Sequence, residues 1–414
     1  MLPPPVRALK LQYILSYAVI GSVVPYLAVY FKERGLDEVR IGYVVAAAAV
    51  AMMFTPALVA LLADTCVDAR RLSAGLLALT AAALLAVREV RAFPAILALW
   101  TLHSATMWPV YPLQDAICFA DQRRRKAAGE PVRSFASVRI WGSIGFMVPS
   151  AALFWLLRRN ESVRVTFVVG AAFALAGAVN ALRLPAPEKQ ERPPAGGSLA
   201  TKGSPSRAAA RVLARRPLLV FCLAMFLLYL GTSAHTTYYP LYLRERVHVP
   251  ERWLGLVNNF GVVAEVVTIV LYARLVASAG SKGLLKRVMV LGIACTALRM
   301  ALLAASPNAA LAVGSQVFHG VLILAMLVAP PQFLDRHAED WYRNSMQGVY
   351  AMLVPGVGRI VGTLAAGPIA RWSLQGVFAY SGLLCLAATL LVAFAFYEEE
   401  HPAAEPLAPA LEPA

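Results

Sequence analysis

The sequence predicts an all-α polytopic membrane protein, with about twelve spanning helices arranged as two similar six-helix bundles. Three observations carry that prediction. Hydrophobic residues make up 59% of the 414 residues and charged ones only 15%, at a mean hydropathy of +0.63, more apolar surface than a water-soluble core can use. Apolar runs of about twenty residues, the length needed to cross some 30 Å of hydrocarbon, recur from Leu9 to Phe396. A single long polar stretch, 184–216, divides them six and six.

The runs begin near Leu9, Val39, Leu72, Phe93, Val138 and Val165, and again near Pro217, Trp253, Val288, Ala309, Ser345 and Gly376. The first, from Leu9 to Phe31, exceeds a signal-peptide core and has no small-residue cleavage site, so it is expected to stay in the mature protein.

The formal net charge is +15, which in a soluble chain would raise the question of nucleic acid. The cations instead fall in alternate loops, at Arg70–Arg71, Arg123–Lys126, Lys189–Arg216 and Lys282–Arg287, while the loops between them mix fewer cations with acids. That alternation follows the positive-inside rule: it places both termini in the cytoplasm and makes the lipid bilayer, not nucleic acid, the expected partner. The cysteines, Cys66, Cys118, Cys222, Cys295 and Cys385, are odd in number and lack metal-ligand spacing, so neither a disulfide framework, a metal nor a cofactor is expected.

The domain plan is therefore an N-terminal bundle over 1–183, a cytoplasmic linker over 184–216 rich in Pro, Gly, Ser and Ala, a C-terminal bundle over 217–398 and a cytoplasmic tail over 399–414. A weak internal echo supports it. LLADTCVDARRL follows the second span and LYARLVASAGSKGLLKR the eighth, two polar hinges at matching places. Two six-helix halves of this kind are a transporter plan with the solute site near the midplane between them.

Ionisable residues inside spans cost at least about 2.5 to 3.5 kcal/mol on insertion scales, which makes each a functional candidate. In span four Trp108, Tyr111 and Asp115 share one helical face, and in span five Arg139, Gly142, Ser143 and Phe146 do the same. The alternative for Asp115 and Arg139 is a structural pair near the helix ends. Span seven carries His235, Tyr238 and Tyr239, which could equally pack as core. Span eight aligns Asn258, Gly261 and Glu265, and Glu265, with no basic neighbour in sequence, is the leading candidate for a coupling or solute-binding carboxylate, the alternative being a structural salt bridge. Arg299 and His319 stand alone in spans nine and ten, and Arg359 follows Pro355, Gly356 and Gly358 in span eleven. Arg299 needs a carboxylate partner, and Glu265 is the nearest candidate in the same half. A buried carboxylate whose affinity for a proton changes as Arg299 approaches is one physical means of coupling to a proton gradient, with His319 able to titrate beside it.

At these residues the chain resembles the major facilitator superfamily over nearly its whole length. The hinge keeps that family's aspartate as Asp64 and its basic pair as Arg70 and Arg71, a gating hinge by resemblance, though the usual glycines are missing. VRIWGSIGFM, Val138 to Met147, is similar to the fifth-helix segment of proton-linked nucleoside permeases and of lactose permease. The resemblance implies that Arg139 hydrogen-bonds solute, Ser143 lines the site and Phe146 stacks on it. It implies a membrane-embedded glutamate at Glu265, an arginine at Arg299 (ALRMALLAA), a histidine at His319 (FHG) and an acid at Asp115 (PLQDA), and seventh-helix solute contacts at His235 and Tyr238. The acid that follows the tenth-helix histidine in those relatives has no counterpart here, where 321–324 are all apolar. Phenylpropionate-type permeases are a third resemblance.

The expected function is secondary active transport by alternating access, as proton symport of a small polar or aromatic metabolite such as a nucleoside, by a monomer in the cell membrane. A sugar or aromatic carboxylate, an uncoupled facilitator and an exporter remain open alternatives. Three interior arginines against two carboxylates also leave one cation over, which an anionic solute would match. A polytopic enzyme is the reading from another class. It would need a catalytic cluster in an ordered exterior loop, and Glu33, Asp37, Glu38 and Glu251 form none.

Overall fold

A computed structural model describes residues 4–65, 67–158, 162–185, 204–279, 284–339 and 341–396. The hinge around Lys282, Cys66, most of the linker and the tail from 399 lie outside them. The first helices are α1 (Pro4–Val23), α2 (Leu27–Glu33), α3 (Glu38–Thr65), α4 (Ala69–Glu89), α5 (Phe93–Met107), α6 (Val110–Ala127), α7 (Phe135–Arg158) and α8 (Val165–Ala181). A short α9 (Pro205–Leu213) then leads into α10 (Arg216–Glu245), α11 (Glu251–Ala279), α12 (Leu284–Ala305), α13 (Ala309–Gly314), α14 (His319–Ile323), α15 (Ala329–Arg336), α16 (Arg343–Ala351), α17 (Val357–Trp372) and α18 (Leu374–Ala395). Contacts group Met1–Glu191 with Val249–Asn259 as one unit, and Arg192–His248 with Phe260–Ala414 as the other.

Among the described residues ten helices are long and apolar enough to span a membrane, and α8 is a shorter apolar helix. The remaining predicted span, the fourth, is split. Pro109 has no N–H for the helix ladder, α5 ends at Met107, and α6 resumes at Val110 and runs on into Arg124, Arg125 and Lys126. Proline also explains the first span, where Pro25 sits in a 3₁₀ turn, Val24–Tyr26, between α1 and α2.

Spans ten and eleven contain π-helical segments, Leu324–Val328 and Met352–Gly356. Pro330 and Pro331 follow the first and Pro355 lies inside the second, so in both places a missing donor accompanies the wide turn. Hydroxyls in these apolar helices satisfy themselves four residues back, as Ser22 does on Ala18, Thr80 on Leu76, Thr232 on Leu228 and Thr296 on Gly292, all at 2.7–2.8 Å. Large apolar side chains point outward instead, among them Trp155, Leu271, Leu383 and Phe394. In a soluble protein that surface would aggregate; in hydrocarbon it is the solvated face.

The two units repeat one packing scheme. In the first, α1 packs on α7 and α8, and α4 on α8; in the second, α10 packs on α17 and α18, and α12 on α18. With no hydrophobic drive between helices in lipid, close backbone approach through small residues supplies the contact. A Cβ on Gly21 would stand 2.1 Å from the Phe146 carbonyl oxygen, and one on Gly145 2.3 Å from that of Ile14. In the second unit a Cβ on Gly362 would stand 2.3 Å from the Leu230 carbonyl oxygen.

Candidate functional site

In the first unit three helices each present the same i, i+3, i+4 triplet. α1 gives Tyr13, Ser16 and Tyr17; α6 gives Tyr111, Gln114 and Asp115; α7 gives Arg139, Gly142 and Ser143. The Tyr13 hydroxyl donates to Asp115 Oδ1 at 2.5 Å, in the short range of charge-assisted O–H···O bonds. Ser16 donates to Gln114 Oε1 at 2.9 Å. The Arg139 guanidinium lies 4.3 Å from the Tyr17 ring centroid and 5.9 Å from that of Tyr13. Gly142 makes this possible, because a Cβ there would come within 2.7 Å of Arg139 Nη1 and 2.9 Å of the Tyr17 ring.

No direct ion pair joins Asp115 to Arg139 among the described residues. Tyr13 touches both, its hydroxyl on the acid and its ring toward the base. Tyr17 and Tyr111 meet at a tilt with centroids 4.6 Å apart, and Trp108 meets Tyr111 edge-on at 5.5 Å, so a wall of rings flanks the two charges. Ser143 and Phe146, expected as solute contacts, are half-buried on the same helix as Arg139. Farther along α7, Ser150 donates to Asn259 Oδ1 at 3.2 Å, and the Asn259 amide donates to the Met147 carbonyl at 3.1 Å.

In the second unit the polar groups gather around Gln316 and Tyr239. Arg299, only 1% exposed, donates from Nη2 to Gln316 Oε1 at 2.8 Å and lies 5.4 Å from the Tyr239 ring centroid. Its Nε and Nη1 have no hydrogen-bond partner among the described residues. The His235 ring sits 4.9 Å from Tyr239 and 5.8 Å from Phe378, and its buried Nε2 likewise has no partner. Tyr239 itself is anchored by its hydroxyl to the Ala312 carbonyl at 2.8 Å. A Cβ on Gly261 would fall 2.9 Å from Gln316 Oε1 and 3.5 Å from His319 Cβ, so α11 comes close to the segment that carries Gln316 and His319.

The expected pairing of Glu265 with Arg299 gives way to a different one. Glu265 Oε2 lies 3.9 Å from His319 Nε2, both side chains about a quarter to a third exposed at 25% and 30%, while Arg299 takes the neutral amide of Gln316. The reason is placement: Gln316 lies one turn before His319, and each meets its own partner. Tyr238 is fully buried, and the ring beside Arg299 is that of Tyr239. Arg359 lies 5.5 Å from the Tyr229 ring, the counterpart of Arg139 on Tyr17.

At the expected hinge, Arg70 pairs with Asp68 through Nη2 at 2.8 Å, and Asp68 also caps α4 by accepting from the Arg70 backbone N–H at 2.8 Å. Arg70 holds the Asp68 carboxyl below the usual carboxylate range. Arg71 is exposed, and the Asp64 side chain lies outside the described set. At the end of α6, Asp121 binds Arg124 at 2.6 Å and Arg125 at 2.7 Å, so that part of the basic cluster is internally paired. No group of three or more His, Cys, Asp or Glu is placed to hold a metal among the described residues.

The sequence reading missed Tyr13, Tyr17, Gln114 and Gln316, and named Tyr239 only beside His235 and Tyr238. The stripe Gln12, Tyr13, Ser16, Tyr17 in an otherwise apolar first span was the available signal for the first group. Gln316 has none beyond its own polarity in a span.

A family model described as the MFS_1 like family matches residues 6–380. Among curated proteins, the Uncharacterized transporter YwbF of Bacillus subtilis strain 168 is 22% identical over 396 residues, covering 95% of this chain and 94% of that one. The Maltose permease of Geobacillus stearothermophilus is 27% identical over 406 residues, covering 95% of each. Among solved structures, the nucleoside transporter NupG superposes with a TM-score of 0.80 at 21% identity, covering 96% of this chain and 100% of that one.

Proposed function

This chain belongs to the MFS_1 like family of major facilitator transporters, and we propose that within it the protein is a proton-coupled carrier of a small polar or aromatic metabolite such as a nucleoside. It is a multi-pass membrane protein and a transporter, not an enzyme. The observation that carries the finer reading is the pair of half-buried acids inside spans, each against a group that can trade a proton or a hydrogen bond with it. Asp115 holds the Tyr13 hydroxyl and Glu265 faces His319.

Each acid takes a distinct part. In the first unit Asp115, Arg139 and the rings of Tyr17, Tyr111 and Trp108 form a polar floor with aromatic walls, which suits a flat solute bearing hydroxyls or ring nitrogens. Ser143 and Phe146 complete the proposed solute contacts of that unit, and His235 is the proposed contact in the second. In the second unit Glu265 takes the proton, His319 receives or orients it, and Arg299 biases the step electrostatically. Movement about the hinge that holds Asp64, Arg70 and Arg71 exposes the loaded site alternately to the two sides. The protein acts as a monomer in the cell membrane with both termini cytoplasmic, a topology supported by the cations that end α6 and by Arg70 and Arg71.

The test is uptake by the purified full chain in liposomes, with labelled nucleosides, sugars and carboxylates, with and without an imposed pH gradient. Gradient-dependent uptake of at least one solute is expected, lost in Glu265→Gln and in Arg139→Ala. Uptake that ignores the gradient, or survives Glu265→Gln in full, removes the symport mechanism.

A further inference from the structure

We infer that the second unit carries a carboxylate-binding subsite built from Arg299 and His235, with Gln316 as the residue that orients it. The inference rests on the carrier reading and, in place of the nucleoside given there as an example, assigns it a solute that bears a carboxylate.

The argument starts from a buried cation. An arginine keeps its charge at any physiological pH, and a charge taken from water is costly unless opposite charge and hydrogen bonds replace its hydration. Arg299 is 1% exposed, and the acceptors recorded beside it are neutral, the Gln316 amide and the Tyr239 hydroxyl. Among the described residues no carboxylate pairs with it; the nearest candidate in the same half, Glu265, stands against His319. Two of its three nitrogens, Nε and Nη1, have no acceptor.

A second donor converges on the same place. His235 is buried, leans on the same Tyr239 ring that Arg299 faces, and leaves Nε2 without a partner. With its proton on Nε2, the ring is a donor beside a guanidinium, an arrangement that repels cations and is indifferent to apolar groups, but offers hydrogen to an oxyanion. Gln316 fixes the guanidinium's orientation, and Gly261 leaves room for that amide. The Tyr239 and Phe378 rings flank His235, and such rings suit a planar anion. Two sources of such charge exist, a carboxylate on the transported solute and a free inorganic anion. The proposal assigns the first.

The experiment is ligand-induced thermal stabilisation of the detergent-purified full chain, with benzoate, its neutral isostere benzamide and sodium chloride as probes. It needs neither membrane nor gradient, so its failure is distinct from failure of uptake. Benzoate is expected to stabilise the protein at concentrations at least about tenfold below benzamide, with chloride no better than a non-binding salt control. Arg299→Gln is expected to weaken benzoate by about 30-fold or more, the scale for removing one partner of a buried charged contact, and to leave benzamide unchanged. Arg299→Lys keeps the charge and guards against misfolding. It should retain the benzoate preference at roughly tenfold weaker binding, because a lysine lacks the planar donors. His235→Phe should weaken benzoate alone. Equal response to benzoate and benzamide, or stabilisation by chloride that matches benzoate, overturns the proposal.

Discussion

Both units lay an arginine from their fifth helix on a tyrosine from their first, beside a glycine that lets the two backbones touch. Arg139 lies on Tyr17 near Gly145, and Arg359 lies by Tyr229 near Gly362. They differ in the company of the remaining charge. The first unit keeps acid and base on opposite sides of one tyrosine, whereas the second gives its deepest cation, Arg299, an uncharged amide and sends its acid to a histidine. A repeated scaffold thus supports unequal electrostatics, and on the proposed reading one half binds polar groups of either sign while the other takes a proton and an anion.

The most damaging way to break that comparison is at the second unit's acid. Glu265→Gln should cut gradient-driven accumulation on the order of 100-fold or more while leaving solute exchange in place, the scale for removing a proton-transfer group. Asp115→Asn, assayed alongside, should depress uptake with and without the gradient alike; if the two variants behave identically, the division of labour between units is wrong. Next comes the tyrosine that separates the first unit's charges. Tyr13→Phe removes a hydrogen bond to a charged group, worth about 1.5–3 kcal/mol, and frees Asp115 to turn toward Arg139, so solute affinity should fall roughly tenfold or more in a binding titration. An unchanged affinity would mean that Tyr13 only packs.

Smaller effects sharpen the picture. Arg139→Lys keeps the cation but loses the guanidinium's close contact with the Tyr17 ring, a contact worth about 0.5–1 kcal/mol, and should weaken binding only a few-fold. At the hinge, Asp68→Ala should cost about 1 kcal/mol of cap energy, read as a modest drop in melting temperature at neutral pH. Because Arg70 holds the Asp68 carboxyl below its ordinary range, the cap's contribution is complete above that range and disappears as pH falls through the lowered value. Wild type and variant should therefore converge in acid, and a difference that persists there would locate the loss elsewhere.

The spans were readable because hydrocarbon thickness fixes helix length, so an apolar run such as the one from Val165 needs no tertiary information. The break in the fourth span was less legible: Trp108, Tyr111 and Asp115 suggested a continuous face, and only the missing N–H of Pro109 explains the step between α5 and α6. Charge flagged Asp115, Arg139, Glu265, Arg299 and His319, since isolated ionisable groups are improbable in lipid. Their partners escaped notice because a tyrosine or glutamine in a span costs little enough to be unremarkable by composition. Which of several neutral groups meets Arg299 depends on how α12 and the turn before His319 face each other, which no local pattern encodes.

The wide turn at Met352–Gly356 has a consequence for the length of the chain around it. Such a turn behaves as one surplus residue absorbed within a continuous rod. A one-residue deletion within it lets ordinary winding resume with the flanks in phase, whereas the same deletion in the regular winding just beyond it, at Val357, would swivel everything that follows by about 100°. Arg359 would then leave Tyr229, and Gly362 would bring side chains rather than bare backbone to the Leu230 carbonyl. Beyond the wide turn the eleventh helix is therefore intolerant of indels that the turn itself could absorb, and there its phase, more than its hydrophobicity, is what the amino-acid order preserves.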